Sequence, residues 1–81
     1  MPKSVYTETY QRFIKMLVDA RGEAGLTQVQ LAERLGWQQT DISKVERGER
    51  RLDIAEFLAF AAAMKIDAAE FVRRLSSGKR Q

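Results

Sequence analysis

The chain has no cysteine and no histidine among its 81 residues, and only one proline. Without cysteine there is no disulfide, no thiolate metal site and no thiol nucleophile. Without histidine the commonest general base and the commonest metal ligand are both missing. The serines, Ser4, Ser43, Ser76 and Ser77, lack the G-x-S-x-G setting of an activated hydroxyl. An enzyme is therefore the weakest reading, and no metal or cofactor is expected. Long apolar runs are missing too: the longest, Phe57 to Met64, has eight residues, whereas a membrane span needs about 20. The amino terminus leads into Tyr, Thr and Glu rather than the apolar stretch of a secretion signal, so a cytoplasmic location is expected. Strand signals are equally scarce, with no sustained alternation and no Asn-Gly or Asp-Gly turn. A net charge of +3 permits a polyanionic partner without requiring one.

What the chain does have is the pattern of short helices. Its length suits one domain, and 44% apolar with 31% charged residues is a globular composition. An apolar residue, a cap, an acid or amide three later and another apolar residue mark a helix start, joining a capping box to a hydrophobic staple. Leu26-Thr27 with Gln30-Leu31, Leu52-Asp53 with Glu56-Phe57, and Ile66-Asp67 with Glu70-Phe71 fit it. Trp37-Gln38 with Asp41-Ile42 has the same spacing, though Gln is a poor cap. These starts predict helices at about 27–35, 38–47, 53–64 and 67–76. Tyr6, Tyr10, Phe13, Leu17, Ala20 and Ala24 recur at steps of four and three, one face of a longer first helix that Gly25 can end. The prediction is an all-α domain of five helices over residues 5–76, with tails at 1–4 and 77–81.

Helices two and three are separated by little more than Gly36 and Trp37, the spacing of a helix-turn-helix. Ala32 allows close crossing, Leu31 and Leu35 face the core from one helix, and Ile42 and Val45 from the next. Gln39, Thr40, Ser43, Lys44 and Arg47 then point outward. The stretch G-L-T-Q-V-Q-L-A-E-R-L-G-W-Q-Q-T-D-I-S-K-V-E-R-G, Gly25 to Gly48, resembles the Cro/lambda-repressor (XRE-type) helix-turn-helix family. With the flanking helices the resemblance runs from about Tyr10 to Leu75.

The resemblance implies double-stranded DNA as partner, with helix three in the major groove. It assigns base reading to Gln39, whose amide can bond adenine N6 and N7 together, and to Thr40, Ser43 and Lys44. It assigns phosphates to Gln28 at the start of helix two, to Gln38, and to Arg47, Arg50 and Arg51. It also joins Arg21 and Glu46 as a buried pair bracing helix one against helix three, a charge on a core face needing a partner.

Each assignment has a plainer counterpart. Asp41 reads as a cap, and Trp37 as packing at the turn. The three arginines stand among Glu46, Glu49 and Asp53, so apart from the motif that stretch is equally a neutral solvated loop. Helix four is apolar at every position but Glu56 from Ile54 to Met64, so more than one of its faces needs cover. A homodimer through Phe57, Phe60, Met64, Phe71 and Leu75 is expected; the alternative is that the long aromatic first helix covers the surplus. Such a dimer would set two recognition helices about 34 Å apart on a pseudo-palindromic operator. The reading is thus a dimeric DNA-binding transcriptional repressor. The rival is a protein-interaction module, such as an antitoxin component binding a protein partner through helices four and five.

Overall fold

The computed structural model describes residues 2–78, with side chains from Glu8 onward. It contains five helices: α1 (Pro2–Glu23), α2 (Gln28–Leu35), α3 (Gln39–Glu46), α4 (Ile54–Met64) and α5 (Ala68–Ser77). There is no strand among the described residues. Pro2, Lys3 and Ser4, expected as a tail, belong to α1; proline is preorganised for a first helical turn. Ser77 closes α5, and residues 79–81 of the expected carboxy-terminal tail lie outside the described residues, as does the Tyr6 side chain.

The helix starts are local hydrogen-bond devices. Thr27 Oγ1 accepts from the Gln30 N–H (3.1 Å) while Gln30 Oε1 accepts from the Thr27 N–H (2.9 Å). Asp53 and Glu56 repeat that reciprocal box at α4 (2.7 and 3.1 Å). At α3 only half of it forms: Asp41 accepts from the Gln38 N–H (3.1 Å), and the Gln38 side chain makes no cap bond. At α5 Asp67 caps two N–H groups, but Glu70 turns to Arg73 instead of closing the box.

The ends of α1 to α4 share one geometry. A backbone N–H reaches the carbonyl five residues back at Leu26→Arg21, Trp37→Ala32, Glu49→Lys44 and Ile66→Ala61, around a residue in the left-handed region. Glycine supplies that residue at Gly25, Gly36 and Gly48, but at α4 it is Lys65, with φ of 60°.

α2 packs chiefly on α3 and then on α4, while α1 lies across α3 and α5. The centre of the core is Leu17, Leu31, Ile42, Val45 and Phe60, each at most 2% exposed. Around it Phe13 of α1 meets Phe57 (5.5 Å between ring centroids) and Phe71 (5.8 Å), and those two rings touch each other (5.0 Å). Trp37 sets its edge against Phe60 (5.3 Å), as its expected packing role requires.

This packing corrects the expected dimer surface. Phe57, Phe60, Met64 and Phe71 are buried within the single chain and Leu75 is half-buried: Phe13 of α1 packs on Phe57 and Phe71, Trp37 packs on Phe60, and α2 lies against α4. The large apolar side chains left outside are Val29 (51% exposed) on α2, Ile54 (69%) and Leu58 (52%) one turn apart on α4, and Val72 (46%) on α5.

Lys65 gives the first prediction. A side chain in the left-handed conformation costs about 1–2 kcal/mol, and the freer unfolded chain of a glycine variant offsets about 0.5–1 kcal/mol of the relief. Lys65→Gly should therefore stabilise the fold by roughly 0.5–1 kcal/mol and raise Tm by about 2–8 °C in thermal denaturation. A lower Tm would show that the Lys65 side chain contributes contacts outweighing the backbone cost.

Candidate functional site

The site begins at the end of α1. Arg21 donates from Nε to Glu46 Oε2 (2.7 Å), from Nη2 to Glu46 Oε1 (3.0 Å), and from Nη1 to the Leu26 carbonyl (2.8 Å). The two side chains are 17% and 10% exposed, so the pair sits at the edge of the core with its charges largely withdrawn from water. Bidentate geometry and a third acceptor for the guanidinium offset that desolvation. Three elements meet here: the last turn of α1, the approach to α2 and the last residue of α3.

From this pair a hydrogen-bond chain runs outward. Gln28 Nε2 donates to Glu46 Oε1 (2.8 Å), and Gln39 Nε2 donates to Gln28 Oε1 (2.6 Å). Gln28 is first in α2 and Gln39 first in α3, so the turn around Gly36 brings the two helix starts side by side. Ile42 and Val45, fully buried, fix the inner face of α3. Gln39, Thr40 and Lys44 consequently stand exposed on its outer face.

The remaining polar residues are already engaged with one another. Arg47 donates to both carboxylate oxygens of Glu49 (2.9 and 3.1 Å) and to the Ser43 hydroxyl. The Glu49 hydrogen bond and charge raise the Arg47 pKa; Arg47 in turn holds the Glu49 carboxyl below its ordinary 4.5. That pairing is present at neutral pH and is lost as pH falls through the lowered carboxyl pKa. Arg50 bonds Glu56 (2.9 Å) with its guanidinium 4.1 Å from the Trp37 ring centroid. Arg51 lies 4.3 Å from the Tyr10 ring centroid, and the Tyr10 hydroxyl accepts from the Leu52 N–H (3.1 Å). Both arginines therefore lie on aromatic platforms that hold their charges beside α3.

The structure thus brings Gln28 and Gln39 together and joins Ser43 to Arg47, while Gln38 stands exposed at the start of α3. Sequence reading did not anticipate Glu46 bonding Gln28, Trp37 and Tyr10 as seats for arginines, or Glu49 and Glu56 as their counter-charges. No pattern of spacing announces such contacts, since Gln28 and Glu46 are 18 residues apart and Tyr10 and Leu52 are 42.

A helix-turn-helix family profile matches residues 17–71. A comparison with curated protein sequences gives no match. Among solved structures, an XRE-family like protein from Pseudomonas syringae pv. tomato str. DC3000 is 38% identical, with a TM-score of 0.90 over 94% of this chain and 93% of that one. The restriction-modification controller protein C.AhdI from Aeromonas hydrophila is 31% identical, with a TM-score of 0.69 over 76% of this chain and 94% of that one. The restriction-modification controller protein C.Esp1396I, solved as a tetramer in complex with its natural 35 base-pair operator, is 25% identical, with a TM-score of 0.76 over 85% and 91%.

The Arg21–Glu46 brace carries a stability prediction. Removing one partner of a buried pair leaves the other charge unpaired, which costs about 3–5 kcal/mol. Arg21→Ala, at the edge of the core, should lose about 3 kcal/mol, the low end of that range, in urea denaturation. A wild-type unfolding midpoint would show that the bond does not brace the fold.

Proposed function

The chain belongs to the XRE family of helix-turn-helix proteins, and we propose that it is a sequence-specific double-stranded DNA-binding regulator, a repressor acting by occupying its operator. The observation that carries this reading is the outer face of α3. Short polar side chains and Lys44 stand there on a rigidly packed helix, and its first residue, Gln39, is held by Gln28. A helix held on its inner side and polar on its outer side suits the major groove, where base edges present donors and acceptors. The likeness to a controller solved on its operator supports the same partner.

In this reading Gln39 is the principal base reader, with Thr40, Ser43 and Lys44 beside it. Phosphates are met by Gln28 through its second amide N–H, by Gln38, and by Arg47, Arg50 and Arg51. Phosphate contacts set the register and α3 sets the sequence. Arg51 is ready for that role as it stands. Arg47 exchanges Glu49 for a phosphate, an exposed pair that is weak in water and gives way easily.

The dimer belongs to the same reading, through a different surface from the one expected. Ile54 and Leu58 on α4 with Val72 on α5 form an exposed apolar face that a second copy would cover, bringing two α3 helices to a two-fold-related site.

Two experiments test these statements. Selection of duplexes from a random pool should return a consensus with half-site centres one helical turn apart. Against it Gln39→Ala should lose about 1–3 kcal/mol and relax preference at one base pair, whereas Arg51→Ala should weaken all sequences alike. Salt-sensitive binding without a consensus would remove the base-reading role. For the dimer, Leu58→Glu should keep its helical circular dichroism yet sediment as a monomer in analytical ultracentrifugation. An unchanged mass would exclude the α4–α5 face.

A further inference from the structure

We propose that the cleft between α1 and the end of α5 binds a small phosphate monoester bearing hydroxyl groups, held by Arg12, Lys15 and Arg74. Such a site is independent of the reading of α3 as a DNA helix and lies on a different part of the molecule.

The observation is how the arginines are partnered. Arg21, Arg47, Arg50 and Arg73 pair with carboxylates. Arg34 donates to the Ala63 carbonyl, and Arg51 lies over the Tyr10 ring. Among the described residues Arg12 and Arg74 have no such partner, and both line one cavity of about 360 Å3 with Lys15, Met16, Asp19 and Ser77. Lys15 and Arg74 are exposed, but Arg12 is half-buried, and its Nε is buried without a hydrogen-bond acceptor. Gly78 lies directly against it: a Cβ there would stand 3.0 Å from Arg12 Nε and 3.1 Å from Cδ. A charge partly withdrawn from water and left unpaired is costly. An anion in the cavity compensates it.

The cations specify the ligand. Two guanidinium groups offer the paired N–H donors that fit phosphate oxygens, and the ammonium adds a point charge. A phosphate monoester brings a charge of about −1.5 to −2 and three acceptor oxygens to meet them. The volume lies in the range of small-ligand sites, roughly 300–1,000 Å3, which leaves room for more than the phosphate. Asp19 also lines the neighbouring cleft with Glu23, Asp67 and Glu70, so the seam between α1 and α5 turns acidic on that side. A carboxylate there repels a second phosphate and accepts from hydroxyl groups. Phosphate toward Arg12 and hydroxyls toward Asp19 describe a sugar phosphate.

The DNA backbone is a poorer source of the phosphate. Tyr10, Ile14 and Arg21 share the face of α1 that meets the end of α3, whereas Arg12, Met16 and Asp19 share the face turned to α5. A backbone diester also carries only one charge.

The test is titration with ribose 5-phosphate at constant ionic strength, read by 15N–1H chemical shifts and by Tm. Wild type should bind saturably, with shifts centred on the cavity and Tm rising with concentration. Arg12→Gln and Arg74→Gln should each weaken the affinity about tenfold, the loss of a charge-assisted hydrogen bond. Arg74 is exposed, so its variant tests the site even if Arg12→Gln fails to fold. Gly78→Ala keeps every charge but crowds Arg12, and should weaken binding too. Arg73→Gln removes the same charge beside the cavity, from an exposed pair with Glu70, and should stay within about twofold of wild type. A response that does not saturate, or an equal loss in Arg73→Gln, overturns the proposal. Inorganic phosphate binding as tightly as ribose 5-phosphate would overturn the hydroxyl end of the site. On any duplex the protein selects, Arg74→Gln should bind as wild type does. A weaker complex with a salt slope lower by about one phosphate would assign these cations to DNA and overturn the small-molecule site. If no duplex is selected, the ribose 5-phosphate titration decides alone.

Discussion

The bidentate bond between Arg21 and Glu46 is the constraint on which the rest of the structure depends. Two side chains from distant parts of the sequence share one planar contact, which fixes the angle as well as the distance between α1 and α3. The remaining Arg21 nitrogen holds the Leu26 carbonyl, where the chain leaves α1 for α2, and a Glu46 oxygen also holds Gln28. The end of one helix, the start of a second and the end of a third are thereby tied at one point. Charges so nearly withdrawn from water contribute only when every donor and acceptor is used. Here the surplus acceptor capacity of Glu46 is taken up by Gln28, the residue that leads to the exposed face of α3.

Helix α4 shows how a small domain distributes its apolar residues. Its composition requires cover on more than one side, and on the side of Phe57, Phe60 and Met64 that cover comes from Phe13 of α1 against Phe57, Trp37 against Phe60, and α2 packed on α4. Ile54 and Leu58 remain outside, on the face of α4 that these neighbours leave uncovered. Roughly 25 cal/mol for each Å2 of such surface covered favours association, and the exposed stripe is where that driving force is concentrated. The polar outer face of α3 and the exposed apolar side chains of α4 and α5 therefore lie on separate elements.

Much of this was legible in the chain itself. Thr27, Gln38, Asp53 and Asp67 stand immediately before the helices as their spacing predicts, and Gly25 and Gly36 adopt the left-handed conformation that ends a helix. These contacts join residues within five positions of each other, so local sequence contains everything they need. Lys65 was not legible as a helix end, because nothing about a lysine announces a positive φ; the turn toward Ile66, half-buried in the core, imposes it. The inward face of α3 was legible from Ile42 and Val45, and the outward face followed by subtraction.

Sequence alone thus determined the number of helices, the capped starts of α2 to α5, the turn between α2 and α3, and the polar face that α3 presents, all consequences of short-range capping and helical periodicity. Only the tertiary structure decided which stripe of α4 is buried, since both stripes are apolar and the choice belongs to α2, Trp37 and Phe13, which pack against it. It also decided that Trp37 and Tyr10 seat arginines and that Glu46 reaches Gln28. Such pairings are set by how the helices cross, and directional bonds between polar groups distant in sequence have no periodicity by which to be read.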